Sequence, residues 1–161
     1  MTARDKILPR EALVARVAEL RSRGRTIALA NGLFDVLHVG HLRYLEAAAR
    51  EAAVLIVAVN GDASARELKG FGRPVVPAVE RAELVAGFAC VTLVTVFEEA
   101  TVEPLLAAIV PDVHCKGTDY TPETVPEREA AKALGVRVAI VGDPKDHATR
   151  DLIARIRAIR S

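Results

Sequence analysis

The stretch Ala30-Asn31-Gly32-Leu33-Phe34-Asp35-Val36-Leu37-His38-Val39-Gly40-His41 leaves this chain few folds to choose from. Residues 26–29 before it are short, apolar and partly β-branched, the pattern of a buried strand. After it Leu42, Tyr44, Leu45, Ala48, Ala49 and Ala52 recur at helical spacing. A strand is therefore predicted to run through a glycine-containing turn into a helix entered near His41. Such a helix start offers unpaired backbone N–H groups and a positive dipole end, which suits phosphate. His38 and His41, with Gly40 between them, bring two more hydrogen-bond donors to it. Two imidazoles three residues apart also suit zinc, but no nearby Cys, His or Glu completes a set of four. A capping or core role for both is the plainer alternative. The fingerprint G-x-G-x-x-G is absent from the turn, which speaks against a nicotinamide or flavin site.

The rest of the chain alternates in a way that extends this unit. Pro9 and the stripe Leu13, Val14, Val17 and Leu20 predict a leading helix over about 9–23. Val54-Leu55-Ile56-Val57-Ala58-Val59 reads as a strand buried on both faces of a parallel sheet. Strand, helix and strand make a right-handed crossover whose ligand crevice lies beyond the strands' carboxyl ends. Asn60 and Asp62 then emerge on the histidine edge, or serve only as turn formers. The segment 68–77 holds Lys69 and Arg73 among glycines and prolines, either carrying positive charge to the site or simply solvated. A helix opening at Glu80-Arg81 is predicted to bury Leu84, Val85 and Phe88, followed by a strand over 91–94 and a helix from about Thr101. A fourth strand leads into Lys116-Gly117-Thr118-Asp119-Tyr120, where Lys116 can meet anions and Asp119 can accept from sugar hydroxyls or base N–H groups. His114, alone in that strand, reads as a hydrogen-bonded core residue. A fifth strand spans 136–141, and Thr149 is placed to cap a last helix with Leu152, Ile153, Ile156 and Ile159 on its apolar face.

Bulk properties narrow the class. The 161 residues are 51% apolar, enough for one cored domain over 1–161, with its catalytic core about 26–161. A net charge of +1, from 22 basic and 21 acidic residues, gives no electrostatic footprint for nucleic acid or an anionic membrane. No apolar leader or membrane-spanning run is visible, so the expectation is a soluble cytoplasmic protein. Cys90 and Cys115 sit in apolar surroundings and read as reduced core residues.

Gly32-x-Phe34-Asp35-x-x-His38-x-Gly40-His41 resembles the signature of the cytidylyltransferase-like nucleotidyltransferases. Together with Asn60-x-Asp62-Ala63-Ser64, Leu68-Lys69-Gly70-x-x-Arg73-Pro74 and Lys116-Gly117-x-Asp119-Tyr120, it resembles the heptose 1-phosphate adenylyltransferase domain, here without the sugar kinase often fused to it. The resemblance implies an α/β fold: a Rossmann-like parallel five-stranded sheet with helices on both faces. It implies His38, His41 and Lys69 as catalytic residues. Asn31, Gly32, Leu33, Phe34, Gly40, Lys116, Gly117, Asp119 and Thr149 would bind nucleotide and phosphate, and Asp35, Asn60, Asp62, Arg73 and Tyr120 the substrate. ATP and a sugar 1-phosphate would be the substrates, with Mg²⁺ held mainly by ATP and no protein metal ligands. A homodimer is compatible with the family. A cytidylyltransferase for a polyol or alcohol phosphate is the nearest alternative, and a non-catalytic nucleotide-binding module is an alternative of another class. The chain departs from the family at Ala148, where Ser is usual, and at Thr118, where a second Gly is usual.

Overall fold

A computed structural model describes residues 1–159. After a 3-10 turn at Arg4–Lys6, the order is α1 (Arg10–Ser22), β1 (Ile27–Gly32), α2 (Val39–Ala49), β2 (Val54–Asn60), α3 (Asp62–Lys69), α4 (Ala78–Ala86), β3 (Leu93–Phe97), α5 (Glu103–Ile109), β4 (Val113–Lys116), α6 (Arg128–Ala133), β5 (Arg137–Ile140) and α7 (Thr149–Ala158). The strands form one five-stranded sheet in the order β3-β2-β1-β4-β5, parallel at every pairing. This is the α/β architecture expected from the sequence.

Both faces of the sheet are covered, which is why β1 and β2 are apolar along nearly their whole length. Ala28, Ala30, Leu55, Val57 and Val59 pack with Leu45 and Ala48 of α2 and Ala82, Val85 and Ala86 of α4. The alternate residues Ile27, Leu29, Ile56 and Ala58 pack with Leu13 and Val17 of α1, Leu105, Leu106 and Ile109 of α5, and Ala131 of α6. The strand order reverses between β1 and β4, so a crevice opens at their carboxyl ends. No described helix is long and apolar enough to cross a membrane.

Several local expectations are corrected. α2 begins at Val39 with His38 as its N-cap, earlier than His41, and ends before Ala52. β3 lies at Leu93–Phe97, displaced from 91–94, and β5 is shorter than 136–141. α3 grows out of the supposed turn: Gly61 takes the N-cap position, and Gly70, at φ +87°, ends the helix straight after Lys69. α6 was not foreseen, although Ala130, Ala131 and Ala133 favour helix and Gly135, at φ +70°, follows it. Leu84 faces solvent at 53% exposure, whereas Arg81 takes the inward position on α4. Thr149 is the first residue of α7 and does not cap it, and α7 buries none of its side chains, with Ile156 exposed.

Candidate active site

The turn after β1 is held in a conformation that ordinary residues avoid. Phe34 has φ +52° and Val36 φ +38°, the left-handed region, which costs on the order of 1–3 kcal/mol for such residues unless the surroundings hold it. Three anchors do so here. Phe34 is buried and stacks on Tyr44 with ring centroids 6.5 Å apart. The Thr149 hydroxyl donates to the carbonyls of Asp35 (2.8 Å) and Val36 (3.3 Å). Arg81 Nη1 donates to Leu33 O at 2.5 Å. The turn therefore delivers α2 to the carboxyl edge of the sheet at a fixed angle.

At that helix start the two imidazoles cap the backbone and each other's turn. Gly40 N–H donates to His38 Nδ1 at 3.1 Å, and His38 N–H donates to His41 Nδ1 at 3.2 Å. A ring nitrogen that accepts carries no proton, so the single proton of each neutral imidazole sits on Nε2. The rings lie with centroids 3.9 Å apart and both line the cavity. A Cβ on Gly40 would meet the His38 ring at 2.9 Å, so only glycine fits between them. Burial, then the neighbouring His38, pushes His41 down to about 4. Burial, then His147 and Lys145, also lowers His38. In the free protein near neutral pH the site thus offers two uncharged Nε2–H donors.

This has a consequence for stability. A histidine whose folded pKa lies below its unfolded 6.5 is protonated more readily in the unfolded chain, so its contribution is complete above pH 6.5 and is lost as pH falls. For His41 the loss spans pH 6.5 to about 4 and amounts to on the order of 3 kcal/mol. Buried His114, pushed down to about 3 by burial and then by Lys116, works in the same direction. Denaturant unfolding across that range is expected to show stability falling steadily with acid, and an unchanged midpoint would refute the neutral imidazoles.

The two remaining walls of the cavity differ in character. On the β2 side, Asp35 is only 1% exposed and accepts from Arg73 Nε (2.7 Å), Val75 N–H (2.9 Å) and Val76 N–H (2.9 Å). Burial alone would raise its carboxyl, but these amides and the guanidinium outweigh it and hold it below the usual range. Asp35 thus grips the loop carrying Arg73 while also lining the cavity. Asp62 does not reach the cavity: its Oδ1 accepts from Ala78 N–H (2.8 Å) and Arg81 Nη2 (2.9 Å). Asn60, Lys69 and Arg73 do line it.

On the β4 side, Lys116 is buried with Nζ 3.6 Å from Glu127 Oε2 and 4.7 Å from the centre of the Tyr120 ring. Burial lowers its ammonium, and the Glu127 carboxylate offsets part of this. Asp119 pairs with Lys145 at 2.7 Å, and Arg43 with Asp143 at 3.3 Å. The Thr118 hydroxyl donates to Asp143 O at 2.7 Å, tying the β4 and β5 loops together.

The cavity these walls enclose measures about 760 Å³ and gathers every expected site residue except Asp62. It also takes in residues the sequence reading missed: Arg43, Thr101, Glu127, Lys145, His147 and Arg150. Lys145 and His147 follow the fifth strand on the same sheet edge, so the edge rule applied there would have found them. Among the described residues, no group of three or more His, Cys, Asp or Glu could hold a metal ion.

Comparison with known proteins agrees with this geometry. The chain is 41% identical over 152 residues to Bifunctional protein HldE of Syntrophotalea carbinolica, covering 94% of this chain and 31% of that one. It is 42% identical over 152 residues to Bifunctional protein HldE of Alkalilimnicola ehrlichii, covering 94% of this chain and 32% of the other. The chain thus spans about a third of these curated relatives. The lipopolysaccharide core biosynthesis protein of Thermoplasma volcanium shares the fold with a TM-score of 0.66 at 23% identity, over 76% of this chain and 100% of that one. Pantothenate synthetase of Thermus thermophilus shares it at 0.58 and 18% identity, over 88% of this chain and 68% of that one. The family model described as cytidylyltransferase-like matches residues 29–155, a span that includes both histidines, β1 from Leu29 onward and the other four strands whole. The chain belongs to the cytidylyltransferase-like family of nucleotidyltransferases.

Proposed function

We propose that this chain transfers AMP from ATP to D-glycero-D-manno-heptose 1-phosphate, giving ADP-heptose and pyrophosphate. The observation that carries the transfer step is the pair of Nε2–H donors fixed by their own backbone caps at the mouth of a cation-bearing cavity. The acceptor is supported by the motif resemblance and by identity of about 40% to Bifunctional protein HldE.

In the proposed reaction a phosphate oxygen of the sugar phosphate attacks the α-phosphorus of ATP in line. The bond from the α-phosphorus to the β-bridging oxygen breaks, and its electron pair leaves with pyrophosphate. A phosphate oxygen is already nucleophilic at neutral pH, so the protein's work is positioning and charge stabilisation. His38 and His41 donate to the transferring phosphoryl oxygens, joined by the amides of Gly32–Phe34 and by Lys69. Lys116, Asp119 and Tyr120 border the nucleotide, while Asn60 and Arg73 border the acceptor. α7 has no side-chain cap and Ala148, Thr149 and Arg150 line the cavity, so its first amides remain for phosphate although the Ser hydroxyl is missing.

Mg²⁺ fits this site as a passenger on the nucleotide. Most cavity carboxylates are already engaged: Asp35 with its loop, Asp119 with Lys145, Asp143 with Arg43 and Asp146 with His147, while Glu127 stands 3.6 Å from Lys116 with its Oε2 free of any hydrogen bond. Carried on ATP, it would supply neutralisation of the charge on the leaving phosphates. ATP as substrate supports a cytoplasmic location, and the family allows a homodimer, which sedimentation would read.

The test is pyrophosphate release with Mg²⁺, offering ATP or CTP against heptose 1-phosphate and a panel of polyol phosphates. Release with ATP and heptose 1-phosphate is the expected result. Release with CTP alone would move the assignment to a polyol-phosphate cytidylyltransferase. Tight nucleotide binding without release from any pair would favour a non-catalytic module.

A further inference from the structure

His114 lies in the middle of β4, beside Leu29 of β1 and Val138 of β5, and is 0% exposed. The proposed chemistry leaves it without a role. Its Nε2 sits 2.8 Å from Oδ1 of Asn31, while its Nδ1 is buried with no partner. Asn31 stands two residues past Leu29 on β1 and lines the cavity next to Gly32. The contact therefore links a sealed part of the sheet to the site.

Two hydrogen-bond arrangements fit that contact. In one, His114 Nε2–H donates to Asn31 Oδ1, which leaves an unshared Nδ1 lone pair in the core. In the other, the Asn31 amide is flipped and donates to Nε2, which leaves a buried Nδ1–H with no acceptor. An orphaned buried N–H is rarer and costlier than an unfilled acceptor, so the first arrangement is favoured. Lys116, two residues along β4, adds a nearby positive charge that opposes a second proton on the ring. With Oδ1 occupied by His114, the Asn31 NH₂ group is the part left for the cavity.

From the His114–Asn31 contact and the orphaned Nδ1, we infer that His114 is a positioning residue that locks the Asn31 amide so that its NH₂ donates to an anionic oxygen of the bound nucleotide. The assignment rests on the nucleotide reading of the cavity given above. It makes Asn31 a one-way donor: without His114 the amide is free to turn, and half its orientations offer a carbonyl oxygen to a phosphate.

The test has a spectroscopic arm and a binding arm. Imidazole ¹⁵N shifts of the unmutated chain are expected to show protonated Nε2 and unprotonated Nδ1 for His114, with or without nucleotide. The opposite tautomer would overturn the assignment. In calorimetric titrations with ATP and Mg²⁺ and no sugar phosphate, His114→Leu is expected to weaken binding about tenfold, with melting little changed because a half-satisfied polar ring gives way to an apolar one. His114→Gln, whose amide nitrogen can stand near the Nε2 position, is expected to recover binding to within about threefold. The double variant His114→Leu with Asn31→Ala is expected to bind no more weakly than Asn31→Ala alone, since both act through one amide. Additive losses on an intact ATP site would overturn the positioning role alone. No ATP binding by the unmutated chain would overturn the nucleotide reading and this role with it.

Discussion

Replacing His41 by alanine is expected to lower turnover by on the order of 100–1,000-fold, the range seen when one preorganised donor to a developing oxyanion is removed. The same size of loss is expected for His38→Ala. Each alanine also deletes a cap, because His38 Nδ1 holds Gly40 N–H and His41 Nδ1 holds His38 N–H. A lost cap costs about 1 kcal/mol, or roughly 2–4 °C in a domain of this size, so the alanine variants confound catalysis with a frayed helix start. Asparagine separates the two. Its Oδ1 can stand where Nδ1 stands and accept the backbone proton, but nothing replaces Nε2–H. His38→Asn and His41→Asn are therefore expected to melt like the unmutated chain while losing as much turnover as the alanines. Turnover retained in the asparagine variants would show that the imidazoles serve the helix start alone.

The parts of this design that were legible in the sequence are those encoded over short distances. β2 announces itself as an unbroken apolar run because both faces of the sheet are covered. The histidine turn announces itself because its glycine and its imidazoles act on one another within one strand–turn–helix unit. The parts that were not legible depend on partners far along the chain. Asp35 could be seen to matter, yet what it grips, Arg73, Val75 and Val76, lies 38 to 41 residues away. Thr149 looked like a cap because it follows a loop and opens a helix, but its hydroxyl reaches back 114 residues to Asp35 O. His114 was rightly read as a hydrogen-bonded core residue, but only the parallel register of β1 and β4 reveals that its partner is a cavity residue. An inward arginine on a helix carries no periodic signal of its own, and Arg81 was read as part of a helix's opening when it is the most enclosed charge in the fold.

Arg81→Leu is expected to destabilise the chain by about 3–5 kcal/mol, the cost of removing one partner from a buried charged network. For a domain of this size that is a fall of roughly 10 °C in melting temperature. Arg81 is 0% exposed and spends its guanidinium on four acceptors: Val76 O (2.8 Å), Leu33 O (2.5 Å), Asn60 O (2.8 Å) and Asp62 Oδ1 (2.9 Å). Exchanging a whole buried ion pair for apolar groups is often harmless, because both polar partners vanish together. Here that escape is closed. Three of the four acceptors are main-chain carbonyls, which no substitution removes, so leucine leaves them buried and unpaired. Arg81→Lys is expected to recover only part of the loss, since a point ammonium cannot reach in three directions as the planar fork does. The carbonyls concerned belong to the histidine turn, the carboxyl end of β2 and the loop bearing Arg73, which makes Arg81 the tie between the histidine turn and the β2-side wall. Turnover of Arg81→Lys is therefore expected to fall even at temperatures well below its melting point. A leucine variant that melts like the unmutated chain would mean that those carbonyls find water once the arginine is gone.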